Sequence, residues 1–366
     1  MMSALLSVSD LRVRFRTDRG VVRALDGVDF RVDPGETLCL VGESGSGKTV
    51  ACESLTRLVP TPPAELDGEV RFDGRDLLSA FDRRLRAVRG DRIAYVFQNP
   101  QGALDPVYTV GEQLMEAILI HRDVSKSAAR SRSIRLLDRV GIPDPAERVD
   151  EYPHEFSGGM KQRVVIAAAL AADPNLLVAD EPTTALDVTT QAEILRLLGE
   201  IQREREMAVV FVTHDLGVVA QVADRVVVLY AGKVMERGGV EAIFDDPAHP
   251  YTRALLDCLP RRDRAPRPIP GSFPDPTDPP AGCRFHPRCP HAVADCRSGD
   301  QPPEASVPGD DAEPVTSAEA ETSASADHVA ACVYYDGDRD PAALDRGADA
   351  VSAPPDDSTP DEEERG

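Results

Sequence analysis

Apolar and polar positions alternate in short runs near the start of the chain, at residues 8–15, 21–25 and 28–32, with charged residues and glycines between them. Period-two alternation marks half-buried strands, so this region predicts a mostly antiparallel N-terminal sheet. Residues 37–41 form an apolar run short enough for a buried strand, and residues 50–55 beyond it read as a helix. Further strands are expected at 69–72, ending in the turn Asp73-Gly74, and at 92–97, leading to Gln98. From about 110 to 140 the pattern turns helical, with Leu114, Ile118, Ile134 and Leu137 set among charges. Asp173-Pro174-Asn175 breaks into a buried strand at 176–179, and Ile194, Leu195, Leu198 and Ile201 recur at helical spacing. Strands follow at 209–212 and 225–229, with turns at Gly232 and Gly238-Gly239. This alternation describes an α/β core with a helical insertion.

After Pro260 the pattern changes. Residues 261–280 are proline-dense and carry arginines, which predicts a linker or an extended wrap. Four of the seven cysteines, Cys283, Cys289, Cys296 and Cys332, form a late group around an acidic, low-complexity stretch at about 299–326. The chain from roughly 336 is again acidic, and both acidic stretches are expected to be disordered. Cys39 and Cys52 sit in apolar contexts and read as small core residues, while Cys258 has no obvious role.

Net charge adds one exclusion. At -22 the chain lacks the basic footprint that broad nucleic-acid binding requires. Four lysines stand against 37 arginines, a bias that fits either a salt-rich cytoplasm or genome composition combined with an acidic tail. The longest apolar run, 164–172, is far below the ~18 residues that span a bilayer. The N-terminal residues do not read as a secretory signal, so a membrane role is expected to come through a partner.

The chemistry starts at Gly42-Glu43-Ser44-Gly45-Ser46-Gly47-Lys48-Thr49, between the buried strand and the helix. Glycines let successive backbone N–H groups turn inward around a phosphate, and the helix start adds its unpaired N–H groups. Lys48 is placed to reach the β- and γ-phosphates, and the Thr49 hydroxyl to hold Mg²⁺. A phosphate loop alone leaves kinase, GTPase, helicase and transport ATPase open. The strand at 176–179 ends in Asp180 and Glu181. Asp180 suits the Mg²⁺ shell, and Glu181 suits activation of the attacking water. Ser157-Gly158-Gly159 opens a helix and forms a second anion site of the same kind, or an ordinary capped helix start.

These motifs together resemble the ATPases of ABC transporters. The order runs from the phosphate loop to Gln98, resembling the family's Q-loop, to the signature Phe156-Ser157-Gly158-Gly159-Met160-Lys161-Gln162-Arg163. It continues with the Asp180-Glu181 strand end, Ala185-Leu186-Asp187 resembling the D-loop, and Thr213-His214-Asp215 with the switch histidine. The resemblance implies that Gly42, Ser44, Gly45, Ser46, Gly47, Lys48 and Thr49 bind ATP and that Gln98, Asp180, Glu181 and His214 act beside them, with Thr49, Gln98 and Asp180 around Mg²⁺. Ser157, Gly158 and Gly159 would contact ATP bound by a second, homologous ATPase in a head-to-tail dimer. Phe15 resembles the aromatic that stacks on adenine, or is an edge-strand core residue. Phe156 and Met160 depart from the commonest signature and leave its serine and glycines intact.

Finer resemblance points to the oligopeptide/dipeptide (peptide/nickel) importer family. It rests on Asn99-Pro100-Gln101, Leu104-Asp105-Pro106, Tyr152-Pro153-His154-Glu155, His249-Pro250-Tyr251-Thr252-Arg253-Ala254-Leu255, Pro268-Ile269-Pro270-Gly271 and Cys283-Arg284-Phe285-His286-Pro287-Arg288-Cys289-Pro290. The implied fold is an α/β P-loop core of ABC ATPase type, spanning 6–245, with an N-terminal antiparallel β subdomain and a helical subdomain at about 100–160. An importer-type extension with the four-cysteine site would span 246–335, and an acidic tail 336–366. The implied protein sits on the cytoplasmic face of the membrane, peripherally. It would power peptide uptake through two transmembrane permease subunits fed by an extracytoplasmic solute-binding protein, with no nucleic-acid partner. An ATPase for a non-peptide solute and a non-transport ABC ATPase are the alternatives; the short helical stretch and single core stand against repair and translation relatives. The cysteine gaps of five, six and thirty-five residues accommodate Zn²⁺ or an iron–sulfur cluster, and spacing does not choose. The resemblance implies a [4Fe–4S] cluster; His286 and His291 lie close enough to be rival ligands and are read as structural neighbours, and four buried or idle cysteines are the plain alternative.

Overall fold

The structure, a computed structural model, describes residues 4–97, 100–184, 186–260, 265–308, 328–336 and 339–344. Gln98, Ala185 and most of both acidic stretches lie outside the described residues.

Strands β1 (Leu6–Thr17) and β2 (Gly20–Val32) form a long antiparallel hairpin. The two segments expected at 21–25 and 28–32 are one strand: Leu25 pairs with Val13, Asp26 with Arg12 and Val28 with Leu11, so Gly27 is an extra residue at φ +83°. The bulge carries the strand through a position where the alternation slips. With β4 (Ala64–Phe72) and β5 (Arg75–Asp76) the hairpin makes a four-stranded sheet of order β2-β1-β4-β5.

The second sheet holds β3 (Thr37–Val41), β6 (Ile93–Val96), β7 (Leu176–Asp180), β8 (Ala208–Val212), β9 (Arg225–Tyr230), β10 (Lys233–Gly239), β11 (Ala305–Ser306) and β12 (Val329–Ala330). Its order is β11-β12-β10-β9-β3-β8-β7-β6. The run from β9 to β6 is parallel, and β10, β12 and β11 are added antiparallel. Every residue of β3, β7 and β8 is buried, as parallel strands covered on both faces require. Their alternation splits the core in two. Leu38, Leu40, Val178, Val210 and Val212 pack against the antiparallel sheet. Cys39, Val41, Leu177, Val209 and Phe211 face the helices. Cys39 and Cys52 are core residues.

The helical stretch resolves into Val110–His121 and Lys126–Arg139, which pack with Gly158–Ala169. Thr109 and Glu112 form a reciprocal capping box that fixes the first of them. Among the described residues no helix is long and apolar enough to cross a membrane.

The C-terminal region does not stand apart from this core. Tyr251, Leu256, Cys283, Phe285 and Cys296 share one buried cluster with Val226, Val228 and Tyr230. Strand β12 pairs with β10 through Glu236↔Ala330 and Arg237↔Val329. The fully buried Glu236 carboxylate accepts hydrogen bonds from the Ala248 and His249 N–H groups, both at 2.8 Å, and meets His328 Nε2 at 2.7 Å. A buried charge survives only with such partners.

Candidate functional site

The phosphate loop joins β3 to the helix Lys48–Ser54, and its shape is set by glycine. Gly42 (φ +149°), Gly45 (φ +84°) and Gly47 (φ +105°) occupy backbone regions that L side chains rarely adopt. A Cβ on Gly42 would meet the Leu229 carbonyl oxygen at 2.1 Å. Lys48 Nζ donates to the Gly42 carbonyl (2.7 Å), the Glu43 carbonyl (2.9 Å) and Ser46 Oγ (3.3 Å), closing the loop on itself. Burial pushes the Lys48 ammonium pKa down, while Glu181 and Asp180 favour its charge.

Asp180 ends the buried strand β7. Burial raises its carboxyl pKa, and a hydrogen bond from the Thr49 side chain opposes the shift. Asp180 Oδ1 is buried without a hydrogen-bond partner. An orphaned carboxylate oxygen beside a threonine hydroxyl is a donor set that suits Mg²⁺. Glu181 follows at φ +46°, a left-handed conformation uncommon outside glycine, with its N–H donating to Val212 O at 2.9 Å. Its Oε1 lies 2.9 Å from His214 Nδ1, and Thr184 Oγ1 donates to Oε2 at 2.9 Å.

A cavity of about 360 Å³ is lined by Ser44, Gly45, Gly47, Lys48, Thr49, Val50 and Glu181, with Val22, Arg23 and Ala24 on its other side. This size suits a small-molecule ligand. Phe15 is half-buried and does not line the cavity; it pairs across the hairpin with Val22, which does. Ser157 caps the helix Gly158–Ala169 through Oγ and Met160 N–H (3.3 Å). Ser157 and Gly158 are exposed and lie outside the cavity lining, while a Cβ on Gly159 would strike Thr190 Cγ2 at 2.6 Å. Ser157 and Gly158 thus face solvent and are not part of the lining of this chain's own phosphate-loop cavity. Gln98 lies outside the described residues.

The four late cysteines line one small cavity with His249, His286 and His291. Burial pushes the thiol of Cys283 up to about 11 and those of Cys289 and Cys332 up to about 12. Among the described residues no group of three or more His, Cys, Asp or Glu stands in a metal-binding arrangement. The four thiols share a cavity without converging as ligands. Donor type fits a thiolate-bound metal, and no closed coordination shell is present.

Three contacts on the phosphate loop had no role in the sequence reading. Arg288 Nη1 donates to both Glu43 carboxylate oxygens, at 2.9 and 3.0 Å. Tyr251 Oη accepts the Glu43 N–H at 2.9 Å. Phe273 packs against Gly45. The resemblance of 249–255 and 283–290 to one importer branch marks Tyr251 and Arg288 without giving them a task, and Phe273 lies outside every quoted motif.

The family described as ABC transporter matches residues 25–184, and the one described as oligopeptide/dipeptide transporter, C-terminal region, matches residues 235–296. The dipeptide transport ATP-binding protein of Bacillus subtilis is 51% identical over 299 residues, 81% of this chain and 89% of the relative. The oligopeptide transport ATP-binding protein of Salmonella typhimurium is 47% identical over 310 residues, 84% of this chain and 92% of the relative. Among solved structures, a dimeric ATP-binding cassette in a post-hydrolysis state bound to ADP and phosphate aligns with a TM-score of 0.58 at 29% identity, covering 64% of this chain and 98% of that one. The phosphate loop, the paired carboxylates and the two matched regions together identify the chain as an ABC transporter ATP-binding subunit of the oligopeptide/dipeptide importer family.

Proposed function

We propose that this ATPase powers peptide uptake from the cytoplasmic face of a membrane, seated on two permease subunits and working in a head-to-tail pair with a homologous ATPase. The carrying observation is the Glu181–His214–Thr184 arrangement beside Asp180 and the phosphate loop. ATP phosphates occupy the loop, with Lys48 turning from its carbonyl partners to the β- and γ-phosphates. Thr49 and Asp180 would hold Mg²⁺, joined by Gln98 as the resemblance implies, and the bound ion would supply charge neutralisation at the phosphates. Glu181, oriented by His214, takes a proton from water as its oxygen attacks the γ-phosphorus and the bond to the β-phosphate oxygen breaks. Ser157, Gly158 and Gly159 complete the partner's site, so binding of ATP closes the pair and hydrolysis reopens it.

Support for a permease contact comes from the region after Gln98. Val107, Tyr108 and Ile120 are large apolar side chains left exposed, and Tyr108 and Ile120 line a groove with Met115 and Leu119. Peptide as the cargo is carried over from relatives such as the oligopeptide transport ATP-binding protein of Salmonella typhimurium.

The test is Glu181→Gln in the reconstituted transporter. Turnover falls by at least about 100-fold while ATP binding persists and the closed pair accumulates. Full turnover would exclude Glu181 as the base.

The four-cysteine cavity is proposed to hold a [4Fe–4S] cluster, with Zn²⁺ as the alternative, stapling a small polar extension to the core. Anaerobically purified protein should then carry about four irons and matching sulfide per chain, lost in Cys289→Ser. Stoichiometric zinc without iron overturns the cluster, and absence of both overturns a metal staple.

A further inference from the structure

The C-terminal extension reaches the ATP site itself. Phe273, Pro274, Asp275, Pro276 and Pro279 line the same cavity as Lys48, Thr49 and Glu181. They do so from one side, bridging the phosphate loop and β2. At one end Phe273 Cε1 would lie 3.6 Å from a Cβ placed on Gly45, so the ring covers the bare face of that glycine. At the other end the Arg23 N–H donates to the Pro276 carbonyl at 3.0 Å. Between them, the Asp275 carboxylate accepts from Thr277 N–H (2.8 Å) and Oγ1 (2.7 Å), which fixes the turn. Three prolines lock φ along the stretch.

The segment is anchored behind as well. The Phe273 ring sits 4.9 Å from Tyr230, which in turn packs on Tyr251 (4.6 Å) and Phe285 (5.3 Å). Arg288 ties its base to the phosphate loop: Nε donates to the Pro270 carbonyl at 2.8 Å, while Nη1 holds Glu43. A wall this constrained is ready before the nucleotide arrives, so little ordering entropy opposes binding.

We infer that residues 273–279 form a wall of the nucleotide pocket, with Phe273 as a nucleotide-positioning residue supplied by the extension and Arg288 as the clamp that holds it. The inference rests on the reading of this cavity as the ATP site. The wall excludes water from the phosphate-loop side and stiffens Gly45, whose N–H belongs to the phosphate cradle. The ligand class is a purine nucleoside di- or triphosphate.

The experiment is calorimetric titration of the full chain with MgADP, which is not hydrolysed, for the parent, Phe273→Ala, Arg288→Gln and Lys48→Ala. Phe273→Ala weakens binding about fivefold, and Arg288→Gln shifts it in the same direction. Thermal melts identify any variant that fails to fold. In the parent, MgADP slows amide hydrogen exchange at residues 272–278, a readout that needs no variant. Unchanged affinity in a folded Phe273→Ala chain, or unprotected amides, overturns the inference; tighter binding also overturns it, because the segment would then shield the pocket rather than build it. If Lys48→Ala binds MgADP as the parent does, the ATP-site reading fails instead.

Discussion

Gly47 sits at φ +105°, where a Cβ would meet the Ala24 carbonyl oxygen at 2.7 Å and Leu25 Cδ2 also at 2.7 Å. The loop therefore needs glycine twice over, for its backbone angle and for the approach of β2. Gly47→Ala should lower stability by about 2–4 kcal/mol, from left-handed strain and overpacking together. It should also abolish MgADP binding, because relief of the overlap moves the N–H groups that face the phosphate. Urea unfolding and MgADP titration read the two effects; a native midpoint with native affinity would sink the argument. Glu181 accepts comparable left-handed strain at φ +46° without being glycine. There the conformation turns the second of two adjacent carboxylates toward His214, and three hydrogen-bonding groups hold it: the Val212 carbonyl, Thr184 and His214.

At the scale of elements, legibility followed locality. Strands β3, β7 and β8 were readable because burial on both faces demands unbroken apolar runs. The phosphate loop was readable because all its chemistry lies within eight consecutive residues. The cap at Ser157 was readable for the same reason: the acceptor and the Met160 N–H are three residues apart. Strand β2 was misdivided because a bulge at Gly27 breaks the alternation without ending the strand. Strands β11 and β12 were not readable at all. Each is two residues long, too short for a period, and their pairing depends on the β10 edge far away in sequence. The Arg288–Glu43 contact spans 245 positions, and nothing local distinguishes Arg288 from the other arginines. The 261–280 stretch was readable as an extended wrap from its prolines, but its target was not, since proline fixes a chain's shape without naming what lies under it.

Over the whole molecule, the stretches at 6–245 and 246–335 share structure across their boundary. Strand β12 extends the ATPase sheet, and Phe285 and Cys296 share its helical-side core. Among the described residues three arginine ion pairs cross the boundary, Arg288 with Glu43, Arg284 with Asp26 at 2.5 Å and Arg237 with Glu304 at 2.6 Å, and His328 Nε2 meets the fully buried Glu236 at 2.7 Å. We propose that the two parts fold as one unit. A chain cut after residue 264 keeps every ATP-binding motif of the core, yet it loses all four partners at once and leaves the β10 edge unpaired. Glu236 keeps its Ala248 and His249 N–H partners in the cut chain but loses His328, and one lost partner of a buried polar group costs about 1–3 kcal/mol. The cut also strips Phe273 and Phe285 from Tyr230, uncovering aromatic surface next to an open strand edge, a combination that favours association between chains. The shortened protein should therefore aggregate or melt well below the full chain, and its MgADP affinity should fall further than that of Phe273→Ala. Sedimentation and thermal unfolding of the two chains side by side decide it. A monodisperse 1–264 chain with the parent's melting temperature would mean that the extension is a separable domain resting on the ATPase, and that the shared sheet contributes little to holding the core together.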